Sequence, residues 1–138
     1  MNRKNLLNYA AGALFVFTLS AICTLVLTIT DKSAQANDAL VNEQLVTSFV
    51  TEKIKRAQKV EVTKNEGRDI LILKDGSQYV TYLYSQSGYL CELYLPSSQG
   101  FIDEYGDWVC PVGQFDLRIE GKLLVVNGDY YLDLEGKR

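Results

Sequence analysis

No charged residue lies between Lys4 and Asp31. The strongly apolar part of that interval, Tyr9 to Thr30, is 22 residues long. As a helix rising about 1.5 Å per residue it would reach about 33 Å, enough to cross a hydrocarbon core of about 30 Å. No soluble domain of ordinary size hides such a stretch easily, so it constrains every other assignment. Arg3 and Lys4 flank it on the amino-terminal side, and the positive-inside bias then keeps residues 1–8 in the cytoplasm and places the chain after Asp31 outside.

Ala34-Gln35-Ala36 is a small-x-small triplet of the kind cut by signal peptidase. A secretory leader has an apolar core of only about 7–15 residues, however, and Asp31-Lys32 separates this core from the triplet. A retained transmembrane helix over 9–30 is therefore expected, with a mature chain beginning at Asn37 as the alternative.

With 138 residues in all, about 100 remain for one extracytoplasmic domain, a common domain size. Residues 33–138 carry 11 Lys+Arg against 16 Asp+Glu, a net of −5. That balance offers no footprint for nucleic acid. The local basic cluster Lys53, Lys55, Arg56 and Lys59 reads as one solvated helix face.

From Gly12 to Gly67 neither glycine nor proline interrupts the chain. Within that run Val41, Leu45 and Phe49 form one apolar row and Val46, Val50, Ile54 and Ala57 a neighbouring one, which is helical periodicity. One helix is expected to continue the anchor over 31–58. From Val60 the pattern becomes that of strands: Val60-Glu61-Val62, Ile70 to Leu73, Tyr79 to Tyr84, Tyr89 to Leu95, Phe115 to Ile119 and Tyr131 to Leu134. Asp75-Gly76, Ser87-Gly88, Glu120-Gly121 and Asn127-Gly128 stand at the joints, and such pairs accept the positive φ angles of tight hairpins. The expected fold is α+β: a long N-terminal helix, transmembrane then amphipathic, packed on an antiparallel β-meander of six or seven strands over 59–138.

The segment 96–112 breaks the rhythm, being too long for a hairpin turn and holding both prolines. Phe101, Asp103, Glu104, Tyr105, Asp107 and Trp108 make it the candidate interaction loop, with the aromatics either facing a partner or anchoring the loop. Cys91 and Cys110 both lie outside the membrane, where disulfides persist. A bridge between them would close a loop of about 20 residues and add about 3 kcal/mol; two reduced, buried thiols are the alternative. Cys23 sits in the apolar stretch as a small hydrophobe.

Catalytic means are few. The chain has no histidine, which removes imidazole bases and the triads built on them. Glu92, Asp103, Glu104, Asp107 and Asp116 are available as carboxylates, but no spacing singles out an acid–base pair. Asp103-Glu104-x-x-Asp107 lacks the ligand spacing and turn glycine of a calcium loop. No cofactor, no metal and no enzymatic activity are expected. Seven tyrosines in strand-like segments (Tyr79, Tyr82, Tyr84, Tyr89, Tyr94, Tyr130 and Tyr131) fit either cross-strand pairing or an interaction face.

A basic head, an apolar helix running into an amphipathic one and an antiparallel meander together resemble type IV pilin-like proteins, the minor pseudopilins above all. More specifically, Phe49-Val50-Thr51-Glu52-Lys53-Ile54-Lys55-Arg56-Ala57, Ile70-Leu71-Ile72-Leu73, Tyr79-Val80-Thr81-Tyr82-Leu83-Tyr84 and Gly88-Tyr89-Leu90-Cys91-Glu92-Leu93-Tyr94 resemble an uncharacterised Gram-positive family, domain of unknown function 4860. The resemblance implies a non-enzymatic, single-pass surface protein that assembles with other pilin-like subunits. In pilins Gly or Ala precedes Phe-Thr-Leu-x-Glu; here Val16 precedes Phe17-Thr18-Leu19, and Ala21 stands at the glutamate position. An extracytoplasmic module binding cell-wall polymer or peptide through 96–112 is the second expectation, and a carboxylate-dependent hydrolase the third.

Overall fold

The computed structural model describes residues 3–103 and 106–137, with side chains described from Leu14 onward. Helix α1 covers Arg3–Arg56. Eight strands follow among the described residues: β1 (Lys59–Asn65), β2 (Arg68–Lys74), β3 (Tyr79–Gln86), β4 (Tyr89–Pro96), β5 (Asp107–Pro111), β6 (Leu117–Glu120), β7 (Leu123–Val126) and β8 (Tyr130–Asp133). The chain divides into two compact units, Met1–Asp38 and Ala39–Arg138.

In the first unit, the described stretch 14–30 of α1 is apolar on every side. Leu14, Phe15, Val16, Phe17, Leu19, Ile22, Leu25, Val26, Leu27 and Ile29 are all exposed. A helix that is apolar all round belongs in a protein core or a bilayer, and these residues are exposed among the described residues. Its threonines bond back to the helix's own carbonyls. Thr24 donates to the Ser20 carbonyl at 2.7 Å and Thr30 to that of Val26 at 2.6 Å. Thr18 and Thr28 bond backward in the same way. Each hydroxyl is thereby satisfied inside the helix, as lipid would require.

The second unit is α+β. Strands β1 to β5 form an antiparallel meander in sequence order, and β6 to β8 form a separate three-stranded sheet. The expected fold, a long N-terminal helix packed on antiparallel strands, is present, and among the described residues its eight strands are divided between two sheets. The hairpins β1–β2 and β3–β4 turn on Glu66-Gly67 and Ser87-Gly88, all four residues at positive φ, the geometry that matches strand twist.

The pleat sends alternate residues to opposite faces of the large sheet. Its inner face supplies Val60, Leu71, Leu73, Leu83 and Leu90 to a core shared with Val46, Val50 and Ile54 of α1 and with Phe115, Leu117, Leu124, Val126 and Leu134. One of the two apolar helix rows is buried in this core, and the other reaches it only through Phe49. Val41 and Leu45 are exposed and Phe49 is half-buried, because a helix lying on a sheet covers only the stripe that faces it. Asp69 joins the two sheets: this buried carboxylate of β2 accepts a hydrogen bond from the Leu117 amide of β6 at 2.8 Å through Oδ2, and the Lys64 ammonium lies 3.3 Å from Oδ1.

The helix ends at Arg56, where its last carbonyls need partners. Lys137 supplies them from the far end of the chain, its Nζ lying 2.8 Å from the Ile54 carbonyl, 3.1 Å from that of Lys55 and 2.6 Å from that of Ala57. A cation there also opposes the helix dipole. Lys137→Met is expected to cost about 1–3 kcal/mol, a fall in Tm on the order of 10 °C for a domain of this size. A melt of the full chain followed by circular dichroism checks this; an unchanged Tm would show that water caps the helix equally well.

Candidate functional site

The interval 96–112 is less loop than its sequence implies. Asp107–Pro111 forms strand β5 and pairs with β4, leaving 97–106 as the connection. The described parts of that connection, 97–103 and Gly106, strap the outer face of the large sheet, where Ile70, Val80, Tyr82, Tyr84, Cys91 and Leu93 make a second core. Phe101 packs edge-on to Tyr84 with ring centroids 4.9 Å apart and lies 5.4 Å from Tyr82. Tyr84 Oη donates to the Asp103 carbonyl at 2.9 Å, and Arg68 holds the Asp103 carboxylate at 2.5 Å. Phe101 and Asp103 are therefore anchors, and the strap exists because both faces of this sheet are apolar. Glu104 and Tyr105 lie outside the described residues.

Asp107 and Trp108 are different. Both are exposed on β5, and Trp108 retains 65% of its surface while stacking on Tyr89 at 4.6 Å and 14°. Of the six loop candidates, these two are presented to solvent among the described residues.

The expected Cys91–Cys110 disulfide is not formed; both residues are free thiols. Their strands are neighbours, but Cys110 lies opposite Leu90 and packs against the inner core, whereas Cys91 belongs to the outer one. Side chains on opposite faces of a sheet cannot meet. A bulge between Leu90 and Cys91 further shifts the register, so that Cys91 faces Trp108.

Burial pushes both thiols above their ordinary pKa, and burial first, then the nearby Cys91 and Asp103, raises the Tyr84 phenol. The unfolded chain loses thiol protons from about pH 8.5 and phenol protons from about pH 10, while the folded chain keeps them. The unfolded state then binds fewer protons, so the contribution of these groups is fully present below about pH 8.5 and declines as pH rises through the folded values. The urea midpoint is expected to be lower at pH 10 than at pH 7.5; a flat profile would rule out a role for these three groups.

The remaining carboxylates are dispersed. Glu92 is paired with Lys53 of α1, and Asp116 takes the Gln114 amide while its own backbone NH bonds Asn127 at 2.9 Å. Register sets Asp107 opposite Glu92, a juxtaposition of candidate carboxylates that sequence spacing does not reveal. Among the described residues no group of three His, Cys, Asp or Glu side chains could hold a metal ion. Glu61 on β1 is held below the usual carboxylate range by hydrogen bonds from Lys59 and then Lys74, at 2.9 and 3.2 Å.

Two polar arrangements lack any local motif. Asp69 carries one faint signal, a carboxylate at an inward-facing position of an apolar strand. Lys53–Glu92 carries none, since its members are 39 residues apart.

The fold and these surfaces define a class: an α+β domain preceded, in the same helix, by one segment long and apolar enough to cross a membrane. The chain belongs to the family described as Domain of unknown function (DUF4860), whose model matches residues 41–129. No curated protein and no solved structure matches the chain.

Proposed function

We propose that the protein is a non-enzymatic, single-pass membrane component of a bacterial surface or secretion assembly, pilin-like and of the minor pseudopilin type. The observation that carries this reading is helix α1 itself. It holds an exposed, all-round apolar segment with internally satisfied hydroxyls and, further along, the Val46–Val50–Ile54 row of a domain core. In this reading residues 1–8 stay in the cytoplasm and the domain lies on the extracytoplasmic side, facing the Gram-positive cell surface. The apolar helix partners the lipid bilayer and the helices of other pilin-like subunits, and nucleic acid is not a partner.

Fractionation followed by cross-linking in the native membrane tests this. The full chain is expected to stay with membranes through alkaline carbonate washing and to cross-link through residues 14–30 to other single-pass helices. A soluble mature chain beginning at Asn37, or no helix-mediated cross-link, would overturn it. Trp108 favours a second reading, an extracytoplasmic module for cell-wall polymer or peptide, since an exposed tryptophan backed by Tyr89 is a ready contact surface. Quenching or a shift of its emission on adding purified cell wall would support that reading.

A further inference from the structure

At the end of α1, on the inner face of the large sheet and away from Trp108, lies an open cavity of about 330 Å³, at the small end of the range of ligand sites. Ala57 and Leu73 are the aliphatic part of its lining. Its aromatic wall is Tyr94, 54% exposed, with one ring face covered by Tyr79 at 4.8 Å and 13°. Tyr94 lines the cavity and Tyr79 does not. The polar lining comprises Lys53, Arg56, Asp75, Glu92 and Thr81.

The charges of this lining cancel, two cations against two carboxylates, and each is already engaged. Lys53 pairs with Glu92, Arg56 with Glu52, and the Asp75 carboxylate accepts from the Ser77 amide at 2.9 Å. A strongly ionic ligand would have to break these pairs and would meet repulsion from one sign of them. A lipophilic ligand would bury the same charges against hydrocarbon, at a cost that two aliphatic side chains do not offset.

What remains on offer is a mixture of donors and acceptors beside a flat ring: the spare protons of the ammonium and guanidinium, the second oxygen of Glu92 and the Thr81 hydroxyl, while Asp75 is taken up by Ser77. A neutral, polyhydroxylated ring matches that mixture. Each of its hydroxyls both donates and accepts, and its C–H face can lie on an aromatic ring. We propose that this cavity binds a neutral saccharide unit, with Tyr94 as the platform and Thr81, Glu92 and Lys53 as hydroxyl partners. The proposal does not depend on how the chain is anchored, which membrane fractionation reads separately.

The test uses the full chain in a detergent without a sugar headgroup, titrated calorimetrically with four probes. Cellotetraose and chitotetraose are neutral, tetragalacturonate is anionic and tetraglucosamine is cationic. At least one neutral probe is expected to bind, and more tightly than either charged one. Tyr94→Ala is expected to weaken binding about three- to tenfold, the worth of one aromatic contact, while Tyr94→Phe retains affinity. Circular dichroism melts establish that both variants are folded. Binding of none of the four probes, preference for a charged probe, or equal binding by a folded Tyr94→Ala chain would each overturn the proposal.

Discussion

A chain carrying Val50→Asp is expected to lose its cooperative unfolding transition, while Leu45→Asp keeps one close to the parent's. The two positions lie five residues apart on the same helix and belong to adjacent apolar rows. Val50 has no exposed surface and shares its core with residues of both sheets. Removing its burial forfeits about 1.5–3 kcal/mol, and an ionised carboxylate in its place adds several more. Against a typical total of about 5–15 kcal/mol, that is enough to unfold the domain. Leu45 is 50% exposed, so an aspartate there reaches water. Circular dichroism and urea titration of both full-length variants decide the matter. Equal effects, or the reverse order, would mean that α1 docks through its other row.

The second large effect is expected at Gly106. A Cβ on this residue would fall well inside contact distance of Tyr84 Oη and 3.2 Å from Cys91 Cβ. Tyr84 cannot retreat, being fully buried, hydrogen-bonded to the Asp103 carbonyl and wedged by Phe101. Gly106→Ala must therefore lift the strap, at about 1–3 kcal/mol for an overpacked site. The readout is chemical. In the parent chain Cys91 is fully buried beneath the strap and its thiol is pushed up by burial, so alkylation is slow. Each ~1.4 kcal/mol lost from the closed strap raises the open population, and with it the Cys91 alkylation rate, about tenfold. Half-buried Cys110, on the other sheet face, serves as the internal reference and should change little. Peptide mass spectrometry separates the two thiols from Cys23. An unchanged Cys91 rate in a folded Gly106→Ala chain would show that the strap accommodates the methyl group.

Both expectations rest on facts of unequal legibility. The helical repeat through Val46, Val50 and Ile54 is plain in the sequence, and so is the repeat through Val41 and Leu45. Choosing between the rows requires knowing where the sheet lies. The hairpins announced themselves through Ser87-Gly88 and Asn127-Gly128, yet the cysteine pair misled. Nineteen positions of separation and an oxidising compartment fit a bridge, but a bridge also needs side chains on one face. Face is decided by register, which the bulge between Leu90 and Cys91 alters. In 96–112 the aromatics allowed either a partner surface or an anchor, and the packing decides for Phe101, which is fastened inward to Tyr84 and Tyr82, as Asp103 is to Arg68. Strand β5 was hidden by its shortness and by the proline at its end.

The sequence by itself determined what acts locally: an apolar stretch long enough for a bilayer, an uninterrupted helix, alternating strands and the turns between them. These follow from hydropathy, periodicity and backbone preference, each legible within about a dozen residues. Tertiary structure alone decided what depends on distant parts of the chain meeting. It split the strands into two sheets joined by Asp69, put Lys137 on the helix end, fastened Phe101 and Asp103 over a second core and set the two thiols on opposite faces. It also assembled the Tyr94 cavity from the end of a helix and the face of a sheet. These contacts join residues tens of positions apart, and no local pattern encodes which of them will find each other.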